Sequence, residues 1–256
     1  TEDVLGLSEP LQMAYGEQFP ESGRRTYAVE TPALFASKRD DLTVQKTVGD
    51  ALEDTIRFTP GNTLAFFPSY AEAERYYHQF SGEATPYLDE PGTRAEELRA
   101  EFVSADDAVL FTSLWGTLAE GVSFDDDDAR SVVVVGVPYP HLDDRMEAVQ
   151  QAYRGAFGDD EMDAGWHYAV EIPTVRKTRQ ALGRVIRSPT DFGARVLLDE
   201  RYTGSRRAEL DEYSVYPSFP PEERDEHIDI APEKLKFAML NFYTDMNAWD
   251  GDPPEP

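Results

Sequence analysis

Short runs of apolar, mostly β-branched residues alternate along this chain with longer stretches whose apolar residues recur every three or four positions. The short runs predict strands, and the longer stretches predict amphipathic helices. Strands are expected at residues 24–30, 63–67, 84–88, 108–112, 131–137 and 194–199. Helices are expected at residues 40–58, 71–80, 93–102, 143–157, 174–189 and 232–246. The unbroken run SVVVVGV at 131–137 is typical of a strand buried on both faces.

Strands that alternate with helices predict an α/β fold, with a mainly parallel sheet covered by helices on both faces. We divide the chain into a lead-in at 1–23, an α/β domain at 24–202 and a C-terminal extension at 203–256. The extension begins with a linker around 217–226 and contains the last predicted helix. Because ligands of such sheets bind at the carboxyl ends of the strands, we expect functional residues directly after them.

The predicted helix at 174–189, TVRKTRQALGRVIRSP, has an unusual row of side chains. Its cationic and amide residues are spaced four, four and three positions apart, at Arg176, Gln180, Arg184 and Arg187. This spacing places them on one helical face, and Gly183 would let another backbone approach. A row of guanidinium groups suits phosphoryl transfer, whose transition state spreads negative charge over several oxygens. A solvated face with surface ion pairs is the alternative.

The charge composition narrows the class of protein. Asp and Glu number 50 against 24 Lys and Arg, which gives a formal net charge of -26, and only five of the basic residues are lysine. An acidic, lysine-poor surface around a core of ordinary composition favours a halophilic, archaeal source, with a basic partner as the alternative. The chain has no cysteine, which excludes disulfides and Cys-ligated metal sites within it. No apolar run approaches 18 residues, so we expect a cytoplasmic protein without membrane contact.

Several residues that follow predicted strands have side chains suited to nucleic acid. Ser69 is placed to cap a helix whose free amides could hold a phosphate, and Tyr70 could stack on a base or pack on the helix. The remaining candidates are Ser113, Trp115 and Tyr139 after later strands, and Arg176 and Lys177, which form a basic patch with Arg179. A solvated patch is the alternative for these basic residues. Tyr139, between two prolines, suits an exposed aromatic platform or a structural turn.

Four segments in order resemble the motifs of superfamily 2 helicases in the XPD and DinG branch. QALGRVIR (180–187) resembles the last conserved motif of that family, and PGNTLAFFPSY (60–70) resembles the motif that opens its second motor domain. SLWGTLAEGVSF (113–124) and VVVVGVPYP (132–140) are similar to the two motifs between them. Two departures are Ala119 in place of the usual Ser and Ser123 in place of Asp. These departures leave open whether a local hydrogen-bond bridge forms between the ATP site and the nucleic-acid site.

The resemblance implies a RecA-like domain of the P-loop NTPase type and a role for each matching residue. Arg184 and Arg187 would be arginine fingers for ATP hydrolysis. Gln180, Gly183, Glu120 and Gly121 would contact or sense the nucleotide. The candidates after the strands would form part of a single-stranded DNA track, along which the family moves from 5′ to 3′. A role in DNA repair is the expectation.

The phosphate-binding loop of such motors, Gly-x-x-x-x-Gly-Lys-Ser/Thr, does not occur in this sequence. The resemblance implies that an N-terminal motor domain supplies it, together with most of the contacts to ATP and Mg²⁺ and the cysteines of an iron–sulfur cluster. This chain alone is therefore expected to be inactive as an ATPase. The alternative is a non-catalytic RecA-like docking or nucleic-acid-binding module.

Other acidic segments are set aside as chemical sites. Asp225 to Ile228 spells the magnesium box of these motors, but it follows PPEER rather than a buried strand, so we interpret it as accidental. Asp125 to Asp128 lacks the glycine and the spaced ligands of a calcium loop and is interpreted as an acidic surface loop. The four histidines lack metal-ligand spacing, and no metal site is expected.

Overall fold

A parallel sheet forms the centre of the molecule. The computed structural model describes residues 19–125, 127–157 and 163–256. Its strands there are β1 (Arg24–Val29), β2 (Thr63–Phe67), β3 (Thr85–Leu88), β4 (Ala108–Ser113), β5 (Ser131–Val135), β6 (Gly193–Leu198) and β7 (His227–Ile230). They form one sheet in the order β3-β4-β2-β5-β6-β1-β7, with parallel pairing throughout. The predicted α/β class is confirmed, and each predicted strand is present within two residues of its expected bounds.

Helices connect the strands. They are α1 (Leu42–Arg57), α2 (Tyr70–Gln79), α3 (Ala95–Val103), α4 (Thr117–Gly121), α5 (Asp144–Phe157), α6 (Ala164–Trp166), α7 (Ile172–Leu182), α8 (Arg207–Leu210), α9 (Pro221–Arg224) and α10 (Leu235–Asp245). A π-turn at His167–Glu171 joins α6 to α7. Short 3₁₀ turns lie at Glu21–Gly23, Ala36–Lys38, Glu200–Tyr202, Asp211–Tyr213, Tyr216–Ser218 and Pro232–Lys234. Most of the predicted lead-in lies outside the described residues.

The two faces of the sheet form separate apolar layers, because successive strand residues point to opposite sides. Phe67 and Val133 face a layer that contains residues of α1, α2 and α10. Phe66 and Val134 face a second layer that contains residues of α3, α4 and α7. All four side chains have no exposed surface, which explains why the central strands consist of unbroken apolar runs.

The chain after residue 202 completes the same sheet. β7 pairs in parallel with β1 and forms an edge, and Tyr243 of α10 is fully buried in the core. The segment predicted as a linker contains α9, and β7 was not predicted. Its four residues, HIDI, are half-buried or exposed and so lack the apolar run that identified the central strands. Asp225 to Ile228 thus leads from α9 into an edge strand.

The prediction of a single helix over residues 174–189 is wrong. α7 ends at Leu182, and the N–H of Arg184 donates to Ala181 O in a tighter turn (3.0 Å). The Asp191 carboxylate then accepts the amides of Arg187 and Ser188, both at 2.8 Å, and directs the chain into β6. These hydrogen bonds compete with further helix, so Arg184 and Arg187 lie beyond the helix rather than on its face.

Within the described chain, Gly183 does not pack closely against another backbone segment. Its φ of -72° is open to any residue. A Cβ added there would meet only the carbonyl oxygens of Arg179 and Gln180, at 3.5 and 3.8 Å, within the described part of the chain. No second backbone element described in the structure approaches this glycine.

Candidate nucleotide and nucleic-acid site

A shallow cavity beside the end of α7 brings together most of the predicted nucleotide-contacting residues. Its volume is about 330 Å³, and it is lined by Ala119, Gln180, Gly183, Arg184 and Arg187. Gln180 is exposed there. The residues therefore converge without a common helical face, because the turn after Leu182 carries both arginines back toward the end of α4.

Arg184 is oriented by main-chain carbonyls. Its Nη1 donates to Val122 O at 2.8 Å, and its Nη2 donates to Ala119 O. The guanidinium also lies 5.8 Å from the ring centroid of Phe124 and 6.0 Å from that of Phe66. Both carbonyl oxygens accept hydrogen bonds from the guanidinium and so fix its orientation at the edge of the cavity.

Arg187 forms an ion pair with a carboxylate. Its Nη1 lies 2.8 Å from Asp125 Oδ1, with side-chain exposures of 34% and 64%. The amide of Asp125 donates to the Asp128 carboxylate (2.8 Å), which in turn pairs with Arg99 at 2.7 Å. The loop that presents Asp125 is thus held in place. For Arg187 to bind a phosphate, it must exchange Asp125 for that ligand.

The other motif residues on α4 contribute less to the described geometry. Gly121 is exposed at the end of the helix, and a Cβ added there would meet nothing within 4 Å. Glu120 lies in α4, but its side chain is outside the described structure. Ala119 is buried and lines the cavity, whereas Ser123 is exposed and its carbonyl accepts a hydrogen bond from Arg99.

The predicted nucleic-acid residues after β2 and β4 lie side by side. Ser69 is confirmed as the N-cap of α2, because its Oγ accepts the N–H of Glu72 at 3.2 Å. Tyr70 lies against Gly116, where an added Cβ would come within 2.5 Å of the phenol oxygen. A hydrogen bond from Leu114 N to Phe67 O (2.9 Å) joins the two strand ends. The absence of a side chain at Gly116 therefore leaves room for the Tyr70 ring beside the turn that follows β4.

Trp115 is the most accessible aromatic side chain of this turn, with 40% of its surface exposed. Ser113 is buried, and its Oγ accepts the N–H of Trp115 at 3.2 Å, so it shapes the turn rather than facing solvent. Lys177 of α7 places its Nζ 5.0 Å from the indole centroid. Arg176, the next residue on α7, is exposed. An exposed indole with a lysine beside it suits both the bases and the phosphates of a single strand.

Tyr139, after β5, is half-buried rather than exposed. Its ring centroid lies 5.4 Å from that of Trp166 and 5.6 Å from the Arg201 guanidinium. Burial raises the pKa of its phenol, and Arg201 opposes this shift. Asp199 and Arg201, which support this corner, were missed in the sequence. The signal was available, since Asp199 directly follows a buried strand end.

α7 connects the two groups of residues. Lys177 lies near Trp115, and Gly183 lies at the arginine cavity. Six residues at about 1.5 Å of rise each separate these positions by about 9 Å along the helix axis. A single rigid element therefore contacts both candidate sites.

The donor chemistry of the cavity fits a phosphate group. Its described lining supplies guanidinium and amide donors, which are groups that bind phosphate oxygens. An iron–sulfur cluster does not fit this chain, which has no cysteine. Among the described residues, no group of three or more His, Asp or Glu side chains is arranged to hold a metal ion. In that same part of the chain, no helix is long and apolar enough to cross a membrane.

Residues 52–213 match the model of the helicase C-terminal domain, a range that includes every candidate site residue. The chain belongs to this family. The helicase subunit XPD of general transcription and DNA repair factor IIH from Schizosaccharomyces pombe is 30% identical over 179 residues, covering 64% of this chain and 22% of the relative. The regulator of telomere elongation helicase 1 homolog of Caenorhabditis briggsae is 25% identical over 198 residues, covering 66% of this chain and 20% of the relative.

A solved XPD helicase structure has the same fold. It superposes with a TM-score of 0.64 at 23% identity, covering 81% of this chain and 35% of that structure. The RecA-like fold and the XPD-like helicase C-terminal domain are thus confirmed. The chain spans about a fifth of the length of the two curated relatives. The activity of a whole helicase therefore belongs to the proposal that follows.

Proposed function

We propose that this domain is the second motor domain of an ATP-dependent 5′-3′ DNA helicase that acts in DNA repair. Arg184 and Arg187 meet the γ-phosphate of ATP, which is held with Mg²⁺ mainly by an N-terminal motor domain, and Gln180 senses it. The observation that carries the proposal is the cavity in which these three residues converge. The name of the XPD relative, a helicase subunit of a transcription and DNA repair factor, supports the helicase and repair roles.

The arginines act through charge. ATP supplies the phosphoanhydride bond whose cleavage drives the motor. Arg184, already oriented by the carbonyls of Ala119 and Val122, requires little reorganisation to face an anion. Arg187 exchanges Asp125 for phosphate oxygens as the cleft between the two motor domains closes. An arginine finger of this kind is worth about 10³ to 10⁵ in turnover.

The aromatic group forms part of the single-stranded DNA track. Trp115 and Tyr70 offer ring faces to the bases, while Arg176, Lys177 and the amides at the start of α2 bind phosphates. Because α7 reaches both groups, a shift of this helix on nucleotide binding moves Lys177 relative to the strand. An acidic body with a local basic surface fits a halophilic helicase whose DNA affinity is measured in concentrated salt.

The decisive experiment is Arg187→Ala in the full-length gene product. We expect DNA-stimulated ATP hydrolysis to fall by about 10³ or more, with affinity for a single-stranded oligonucleotide within about three-fold of wild type. Arg179→Ala is the matched control, since Arg179 is an exposed arginine of α7 paired with Glu223 at 2.5 Å. It should change neither quantity. Equal loss of hydrolysis and binding in Arg187→Ala would make that arginine structural.

A second test uses the chain by itself. Without a phosphate-binding loop, it should hydrolyse ATP no faster than buffer. Turnover that co-purifies with the folded chain and persists after removal of contaminants would contradict the half-motor assignment.

The second candidate function is a docking or nucleic-acid-binding module that does not use ATP. The pairing of Arg187 with Asp125 favours it, as do Ala119 and Ser123 at positions that differ from the family motif. In that case Arg187→Ala would leave hydrolysis by the full-length protein unchanged. The hydrolysis assay therefore distinguishes the two functions.

A further inference from the structure

A buried ion pair lies at the carboxyl end of β6, behind the candidate DNA track. Asp199 has no exposed surface, and Arg201 has 1%. The Asp199 carboxylate accepts Nε and Nη2 of Arg201 at 2.8 and 2.7 Å, and it also accepts the amides of Arg201 (3.0 Å) and Leu34 (2.9 Å). The fork of the guanidinium is thus fixed on a carboxylate that is itself fixed by the main chain.

This ion pair holds the turn that follows β5. The Arg201 guanidinium lies between two rings, 4.6 Å from the centroid of Phe35 and 5.6 Å from that of Tyr139. The next residue, Tyr202, has its phenol 3.2 Å from Gly136 O and 3.2 Å from the Thr178 hydroxyl. Two consecutive residues after β6, Arg201 and Tyr202, therefore contact the two ends of the segment 136–139.

A contribution to stability alone is a poor explanation for such a pair. Burying two charges costs desolvation energy, and apolar residues of similar volume often stabilise a core as well or better. A guanidinium that is fixed by a carboxylate does, however, restrict the movement of an aromatic ring that lies against it. Tyr139 also contacts Trp166, with ring centroids 5.4 Å apart.

We propose that Arg201 is a positioning residue that fixes the Tyr139 ring for contact with single-stranded nucleic acid, and that Asp199 fixes Arg201 in turn. This inference rests on the proposed function, because it requires that Tyr139, a candidate from the sequence, belongs to the same single-stranded DNA track. It adds two residues, Asp199 and Arg201, that do not themselves touch the strand.

The test is a mutant cycle in the full-length protein, read as the dissociation constant of a single-stranded oligo-dT. Tyr139→Ala should weaken binding by about five-fold to a hundred-fold, the range for one stacked base. The paired exchange Asp199→Asn with Arg201→Gln removes both charges and leaves neither buried alone. We expect it to weaken binding by about three-fold or more, and to add less than about two-fold once Tyr139 is alanine.

The matched control is a largely buried ion pair at the opposite end of the neighbouring strand, beside the first residue of β1. Arg24, with 5% exposure, pairs with Glu226 at 2.5 Å. The exchange Arg24→Gln with Glu226→Gln should lower thermal stability and leave oligo-dT affinity unchanged. If the paired exchange at Asp199 and Arg201 does not fold, Arg201→Lys replaces it, since lysine keeps the charge but not the fork. It should show the same dependence on Tyr139 with a smaller loss.

Each outcome separates the inference from the proposed function. If Tyr139→Ala binds oligo-dT normally, Tyr139 is not part of the track and the assignment on which the inference rests is wrong. If Tyr139→Ala binds weakly while the exchange at Asp199 and Arg201 binds normally, only the positioning role is overturned. Additive losses from the two sites would also overturn it, because a residue that acts through Tyr139 has no effect in its absence.

Discussion

The ion pair between Asp125 and Arg187 predicts that Asp125 lowers the affinity of the intact motor for ATP. The two groups lie 2.8 Å apart with exposures of 34% and 64%, which places the pair among exposed salt bridges worth about 0.2–1 kcal/mol. Nucleotide binding must break this pair before Arg187 reaches a phosphate. Asp125→Asn removes the competition, so the dissociation constant of a non-hydrolysable ATP analogue should fall by about 1.4-fold to 5-fold.

The assay is a titration of the full-length protein with that analogue between about 0.1 and 1 M salt, where the Debye length falls from about 10 to 3 Å. The gain in affinity should shrink as the salt concentration rises. Asp127→Asn changes the net charge equally, but Asp127 is 78% exposed and its ion-pair partner is Arg130, at 4.0 Å. It should change affinity little. Unchanged or weaker binding by Asp125→Asn at the lowest salt would refute the competition.

Three further predictions concern stability, measured as the free energy of unfolding in denaturant. Tyr243→Phe should cost about 0.5–1.5 kcal/mol, because it removes the hydrogen bonds of a buried phenol with the Arg130 carbonyl (2.6 Å) and the Ala194 amide (3.1 Å). Tyr213→Phe at an exposed site should cost little, and equal effects would contradict this. Ser69→Ala should cost about 0.5–2 kcal/mol, because it removes the N-cap of α2. Ser69→Gly should cost clearly less, and a larger cost for glycine than for alanine would exclude the capping role. Burial lowers the pKa of His227 in the folded state, so the stability that its neutral form contributes above pH 6.5 is lost as the pH falls through the folded value. His227→Phe should remove that part of the pH dependence, and identical curves for the two proteins would contradict the assignment.

The fold could be predicted from the sequence where burial dictated the pattern. β2 and β5 are buried on both faces, so their apolar runs marked their bounds closely. β7 could not be recognised, because an edge strand with exposed Ile228 carries no such pattern. The end of α7 was missed because apolar spacing continues through Val185 and Ile186, both buried, while Asp191 redirects the backbone. Apolar periodicity indicates which side chains are buried, but it does not show whether the backbone amides continue a helix or bond to a side chain such as Asp191.

The candidate site also contains residues that the sequence identified and residues that it did not. The motif residues near α7 were identified by their order along the chain, and the structure brings Gln180, Arg184 and Arg187 to one cavity. The ion pair that supports Tyr139 was missed, although one of its residues directly follows a buried strand. Asp199 and Arg201 stand two positions apart in an acidic chain and resemble ordinary surface charges, and their burial follows from the three-dimensional packing of Phe35 and Tyr139 around them. A short-range ion pair has no sequence signature of its own.

The central claim is that Arg184 and Arg187 meet the γ-phosphate of a nucleotide held by a neighbouring motor domain. A crystal structure of the full-length protein with a non-hydrolysable ATP analogue tests it directly. The account predicts that Arg187 leaves Asp125 and that both guanidinium groups lie within hydrogen-bond distance of γ-phosphate oxygens, at about 2.7–3.2 Å. A bound nucleotide whose γ-phosphate is contacted by neither arginine, with Arg187 still paired to Asp125, would contradict it.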